Sequence, residues 1–105
     1  MFTSNHFTDS KGRPAGGSTY GRGFAIAWQN GPLVDPKTGQ RGEPNGAFVE
    51  DVIQAAIDRL EFYQRGPFAC EANAVAITYL RSAIVQLNIR TADRERRNVE
   101  GTHEV

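Results

Sequence analysis

The fold turns on Ala47-Phe48-Val49-Glu50-Asp51-Val52-Ile53-Gln54-Ala55-Ala56-Ile57-Asp58-Arg59-Leu60-Glu61-Phe62-Tyr63-Gln64. A short break, Arg65-Gly66-Pro67-Phe68, follows, and then a longer stretch, Cys70–Asn98. In the first stretch Val49, Val52, Ile53, Ala56, Leu60 and Tyr63 recur at i, i+3/i+4 spacing, the period of an amphipathic helix. Phe48, Ala55 and Phe62 widen that stripe, so this helix needs more than one neighbour. Glu50 and Asp51 suit the positive end of its dipole, and Asn45 is the candidate N-cap.

The second stretch reads as a longer helix in a heptad-like frame. One seam position runs Cys70, Ile77, Ile84, Thr91; the other runs Asn73, Leu80, Leu87, Arg94. Cys70 on this seam predicts a buried thiol rather than a nucleophile. Asn73 and Arg94 are polar ends of an apolar line. They either emerge into water where the seam ends or face a ligand, since a buried polar group needs a partner. Phe62, Tyr63 and Phe68 cluster at the bend; aromatics there usually close the bend, and a minority stack on a base.

Upstream, Phe24-Ala25-Ile26-Ala27-Trp28 alternates large and small, so Phe24, Ile26 and Trp28 share one face of a strand. A lone strand is unstable. Its partner is expected from Met1–Thr8, from Gly17–Gly23 or from another subunit. Asp9–Pro14 and Ala15-Gly16-Gly17-Ser18 read as turns, and Asp35–Gly46 as a loop. The expected fold is α+β: a small N-terminal antiparallel β element followed by a long C-terminal α-helical hairpin, oligomeric. Residues 1–44 form the strand and loop region, 45–98 the hairpin and 99–105 a tail of one domain.

The chain has 105 residues, 39% of them apolar, with a mean hydropathy of −0.48. A two-helix hairpin so poor in core residues cannot cover both its faces, which predicts assembly with other copies. Lys+Arg and Asp+Glu are both 12. A net charge of zero counts against bulk nucleic-acid binding. The charge is uneven, however. Residues 81–97 hold Arg81, Arg90, Arg94, Arg96 and Arg97 against Asp93 and Glu95. Such a local excess suits a small phosphate-bearing ligand; it equally suits a solvated helix end complementing the dipole. Arg90, Arg94 and Arg97 fall on one helical face, where guanidinium forks can grip phosphate oxygens.

No catalytic set emerges. A single Cys70 rules out an intrachain disulfide and a cysteine zinc cluster. His6 and His103 lack neighbours at metal-ligand spacing. Gly21-x-Gly23 precedes a strand rather than a helix, so it is no dinucleotide fingerprint. No apolar run approaches the roughly 18 residues of a membrane span, and Met1-Phe2-Thr3-Ser4 lacks the features of a signal peptide. The expectation is a cytoplasmic protein without cofactor or metal.

Pro44–Ile53, Arg59–Gln64, Phe68–Asn73, Arg90-Thr91 and Val99–His103 together resemble the helical hairpin domain shared by the phage Thoeris anti-defence sponges and the anti-CBASS cyclic-nucleotide sponges. Gly23–Leu33 resembles the strand segment of the Thoeris type. The resemblance implies non-enzymatic capture of glycocyclic ADP-ribose, and in several members of cyclic di- or trinucleotides at separate sites, by hexamers. It further implies that Tyr63, Asn73, Arg90 and Arg94 contact glycocyclic ADP-ribose, with a basic residue near Lys37 or Arg41, and that Gly101 and Thr102 contact a trinucleotide. Phe62 is the alternative aromatic.

One geometric point is independent of that resemblance. Asn73 and Arg90 are 17 positions apart on one helix, roughly 25 Å at about 1.5 Å per residue. They cannot grip one small ligand within a single subunit. A pocket using both takes Tyr63 and Asn73 from one chain and Arg90 and Arg94 from an antiparallel neighbour.

Overall fold

The structure, a computed structural model, describes residues 1–35 and 37–96, the side chains of 94–96 excepted. It is α+β. Strands β1 (Phe2–Thr8), β2 (Pro14–Gly21) and β3 (Phe24–Ala27) precede helices α1 (Val49–Gln64) and α2 (Glu71–Arg96). The strands form an antiparallel sheet in the order β1-β2-β3. The chain divides into a unit holding Met1–Phe48 and a unit holding Val49–Asp93.

The sheet is a meander whose turns are chemically specified. Between β1 and β2 the Asp9 carboxylate accepts hydrogen bonds from the backbone N–H of Lys11 (2.8 Å) and Arg13 (3.0 Å) and from Arg13 Nε (2.8 Å). Pairing runs from Phe2 opposite Gly21 to His6 opposite Gly17, then jumps to Thr8 opposite Pro14. That irregularity puts an extra residue on β2, and glycine makes it possible. Gly17 has a φ of 129°, and a Cβ there would lie 2.1 Å from the Asn5 carbonyl oxygen. Pro14–Ser18, expected as a turn, is therefore strand: the bulge accommodates residues that usually interrupt strands.

The alternation of β3 holds. Ile26 lies opposite Thr19, and the Phe24 ring meets Phe2 edge-on at 6.1 Å. Thr19 is buried. Its hydroxyl accepts from the Trp28 indole N–H at 2.9 Å and shares a hydrogen bond with the Ser4 hydroxyl, also 2.9 Å. Burial without an unpaired polar atom is therefore met by two partners.

The segment before α1 is tied back onto this sheet. Ala47 N–H donates to Ala27 O (2.7 Å) and Gln29 N–H donates to Ala47 O (3.0 Å). Gly46 lies so close to Trp28 that a Cβ would fall 2.5 Å from its carbonyl carbon. Asn45 does not cap a helix. Its side chain accepts from Asn30 N–H (2.8 Å) and donates to Asn30 O (2.8 Å). A long-range pair of hydrogen bonds outcompetes the local cap, and α1 starts at Val49 with Glu50 and Asp51 in its first turn.

In the helical unit α1 ends where Gly66 and Pro67 follow, since proline neither donates an N–H nor tolerates a helical predecessor. The turn is closed by Arg65 N–H to Phe62 O and Gly66 N–H to Tyr63 O. Ile57 (2% exposed) and Ile77 (8%) are the buried apolar residues among those described. On α2 the expected seam holds: Ile77 is buried, and Asn73, Leu80, Ile84, Leu87 and Thr91 are half-buried. Cys70 departs from it, being exposed and lying one residue before α2, where its carbonyl accepts the Ala74 N–H. On α1 the deepest residue is Ile57, while Val49 and Ala56 of the expected stripe are exposed. The opposite side of α2 exposes Val75, Tyr79, Val85 and Ile89.

Candidate functional site

The bend of the hairpin gathers Arg59, Phe62, Tyr63, Phe68 and Asn73. Tyr63 lies 6.1 Å from Phe62 at 56° and 6.4 Å from Phe68 at 75°. Such tilted and edge-on geometries suit ring quadrupoles. Asn73, in the first turn of α2, donates through Nδ2 to Phe68 O at 3.1 Å. Phe68 thus joins Tyr63 on α1 to Asn73 on α2: its ring meets the tyrosine and its carbonyl takes the asparagine amide. Both predicted residues are half-buried. The aromatics close the bend, as their clustering in sequence indicates.

Arg59 is a member of this cluster that the expected contacts do not include. Its guanidinium carbon lies 5.0 Å from the Phe62 ring centre and 5.1 Å from that of Tyr63. Its Nε donates to Tyr63 Oη at 3.2 Å. The signal in sequence is the spacing, i+3 to Phe62 and i+4 to Tyr63, which places all three on one helical face.

Arg90 lies on the same uninterrupted helix as Asn73, exposed, so one chain does not bring it to Tyr63. Arg94 belongs to α2 by its backbone; its side chain, and Gly101 and Thr102, lie outside the described residues. Lys37 and Arg41 are exposed on the loop of the other unit, a loop in which Asp35 accepts from Lys37 N–H at 2.8 Å.

The hairpin also carries an open groove of about 420 Å³, lined by Glu61, Gln64, Arg65, Ala74, Ile77, Thr78 and Arg81. None of the expected contacts lines it. Arg81 spans it to pair with Glu61 at 2.8 Å, so its charge is already matched. Among the described residues no three His, Cys, Asp or Glu side chains come together as a metal site, and no helix is long and apolar enough to cross a membrane.

Residues 22–92 match the family described as Acb2/Tad1, hairpin domain. The chain belongs to the Acb2/Tad1 hairpin family. The matched region runs from the β2–β3 turn to near the end of α2, and so includes Arg59, Tyr63, Asn73 and Arg90. A relative, Thoeris anti-defense 1 of Bacillus phage SBSphiJ7, is 43% identical over 84 residues, 80% of this chain and 55% of that protein. The chain spans about half the length of that relative.

Proposed function

We propose that the chain is a phage anti-defence protein that sequesters a cyclic nucleotide immune signal without degrading it. It acts in the cytoplasm of the infected host cell. Glycocyclic ADP-ribose is the first ligand, held in a pocket shared by two antiparallel copies. Tyr63 and Asn73 come from one copy, and Arg90 and Arg94 from the other. The observation that carries this reading is the separation within one chain. Tyr63 and Asn73 both meet Phe68 at the bend, while Arg90 stands roughly 25 Å from Asn73 along α2. Membership of the Acb2/Tad1 hairpin family and the name of the Bacillus phage relative support the anti-defence role. The thin core and the exposed Val75, Tyr79, Val85 and Ile89 support assembly, with a dimer-based hexamer as the expected form.

Binding without chemistry needs burial, stacking and paired phosphates, and each has a candidate here. A second ligand class, cyclic di- or trinucleotides, extends the role to anti-CBASS activity. Gly101 and Thr102 would meet a trinucleotide near a symmetry axis, where identical tails converge. Thr102→Arg tests that part: trinucleotide binding should vanish while glycocyclic ADP-ribose binding stays, and joint loss would contradict separate sites.

The alternatives are a nucleic-acid-binding module or a structural phage accessory. The zero net charge disfavours the first. The protein is incubated with glycocyclic ADP-ribose, washed, heated and the supernatant read by mass spectrometry. Intact ligand is expected; a degraded product would indicate an enzyme, and no retained ligand would end the reading.

A further inference from the structure

Among the described residues, Arg59 is in no ion pair with a carboxylate. Its neighbouring carboxylates have other partners: Asp58 accepts from Gln54 Nε2 at 3.3 Å, and Glu61 is paired with Arg81 at 2.8 Å. The guanidinium is nevertheless held in place, against two rings and by its Nε on Tyr63 Oη. That bond uses one of five N–H donors and leaves the Nη edge of the fork for an outside acceptor.

We infer that Arg59 is a further ligand-binding residue, supplying an oriented guanidinium to a phosphate of the nucleotide whose base or ribose meets Tyr63. The inference rests on the reading of Tyr63 as a contact given above, and it adds a cation from the Tyr63 side of the pocket. Two features favour this over a purely structural role. A cation–π contact alone needs no Nε bond to the phenol, whereas that bond fixes the direction of the fork. An arginine already restrained by its rings also loses less side-chain freedom when an anion arrives, which strengthens each new bond. The phosphate then sits between arginines contributed by both chains.

The experiment is calorimetric titration of glycocyclic ADP-ribose into wild type, Arg59→Gln and Arg59→Lys at about 50 mM and about 500 mM salt, concentrations on either side of strong screening. Thermal melting confirms that each variant is folded. At low salt, Arg59→Gln should bind about tenfold or more weakly, and Arg59→Lys should recover part of the loss. The gap between wild type and Arg59→Gln should narrow at high salt. Equal binding by Arg59→Gln overturns the inference. So does a loss of the same factor at both salt concentrations, which would mean Arg59 only props up Tyr63. Wild-type protein that fails to bind would remove the functional reading and this inference together. Wild type that binds beside an unaffected Arg59→Gln would remove this inference alone.

Discussion

Gln64 and Cys70 hold each other through both halves of one side-chain amide. Gln64 Nε2 donates to Cys70 O at 3.0 Å, and Cys70 N–H donates to Gln64 Oε1 at 2.9 Å. The last residue of α1 thereby fixes the residue just before α2, and the bend carrying Phe68 lies between them. Gln64→Ala should cost about 1–2 kcal/mol, the net worth of two exposed hydrogen bonds. Urea unfolding followed by helical circular dichroism measures this. An unchanged midpoint would show that the aromatic cluster alone closes the hairpin.

The β1–β2 turn should be sensitive to acid. Asp9 is held below its ordinary carboxylate value of 3.8, first by the Arg13 backbone N–H; desolvation opposes this as the next-largest influence, and the Lys11 N–H and the Arg13 guanidinium add to the lowering. A depressed folded value contributes stability that is complete above the unfolded value and is lost as pH falls through the folded one. Asp9→Asn is neutral throughout. Its stability deficit relative to wild type should therefore shrink once pH drops below about 4. Amide exchange at Lys11 and Arg13 across that range reads it directly; a deficit constant with pH would mean that the charge contributes nothing.

The hairpin is legible in sequence because its signals are periodic and its break is chemical. Ile77, Leu80, Ile84 and Leu87 recur as a seam, and Gly66-Pro67 can only interrupt a helix. What local pattern does not convey is competition from distant partners. Asn45 has the chemistry of a cap but bonds Asn30, and Cys70 shares the heptad phase yet precedes the helix. The Pro14–Ser18 segment pairs as strand because a bulge beneath Asn5 admits Gly17. Ile57, the deepest residue of α1, falls one position after Ala56, on the side where the helix turns inward. At the site, the closeness of Tyr63, Phe68 and Asn73 follows from short separation in sequence. The placement of Arg59 between two rings depends on rotamers that no spacing specifies.

The late arginines of α2 should differ by face. Arg94→Ala should weaken glycocyclic ADP-ribose binding by about 2–4 kcal/mol, as for removing one partner of a buried anion. Arg96→Ala, off the face shared by Arg90 and Arg94, should do little. Titration calorimetry on both variants measures the difference. Equal losses would indicate a diffuse cationic footprint and favour the nucleic-acid reading.

The most direct measurement of the shared pocket is complementation. Tyr63→Ala and Arg90→Ala proteins should each fail to bind glycocyclic ADP-ribose, because each spoils every pocket of its own assembly. When the two are mixed in equal amounts and allowed to exchange subunits, half of the dimers are mixed. Each mixed dimer holds one intact pocket and one doubly damaged one. Calorimetry should then find wild-type affinity at about a quarter of the wild-type stoichiometry, as two-fold symmetry requires. A mixture that exchanges subunits yet stays silent, beside wild type that binds, would contradict a pocket built from two copies.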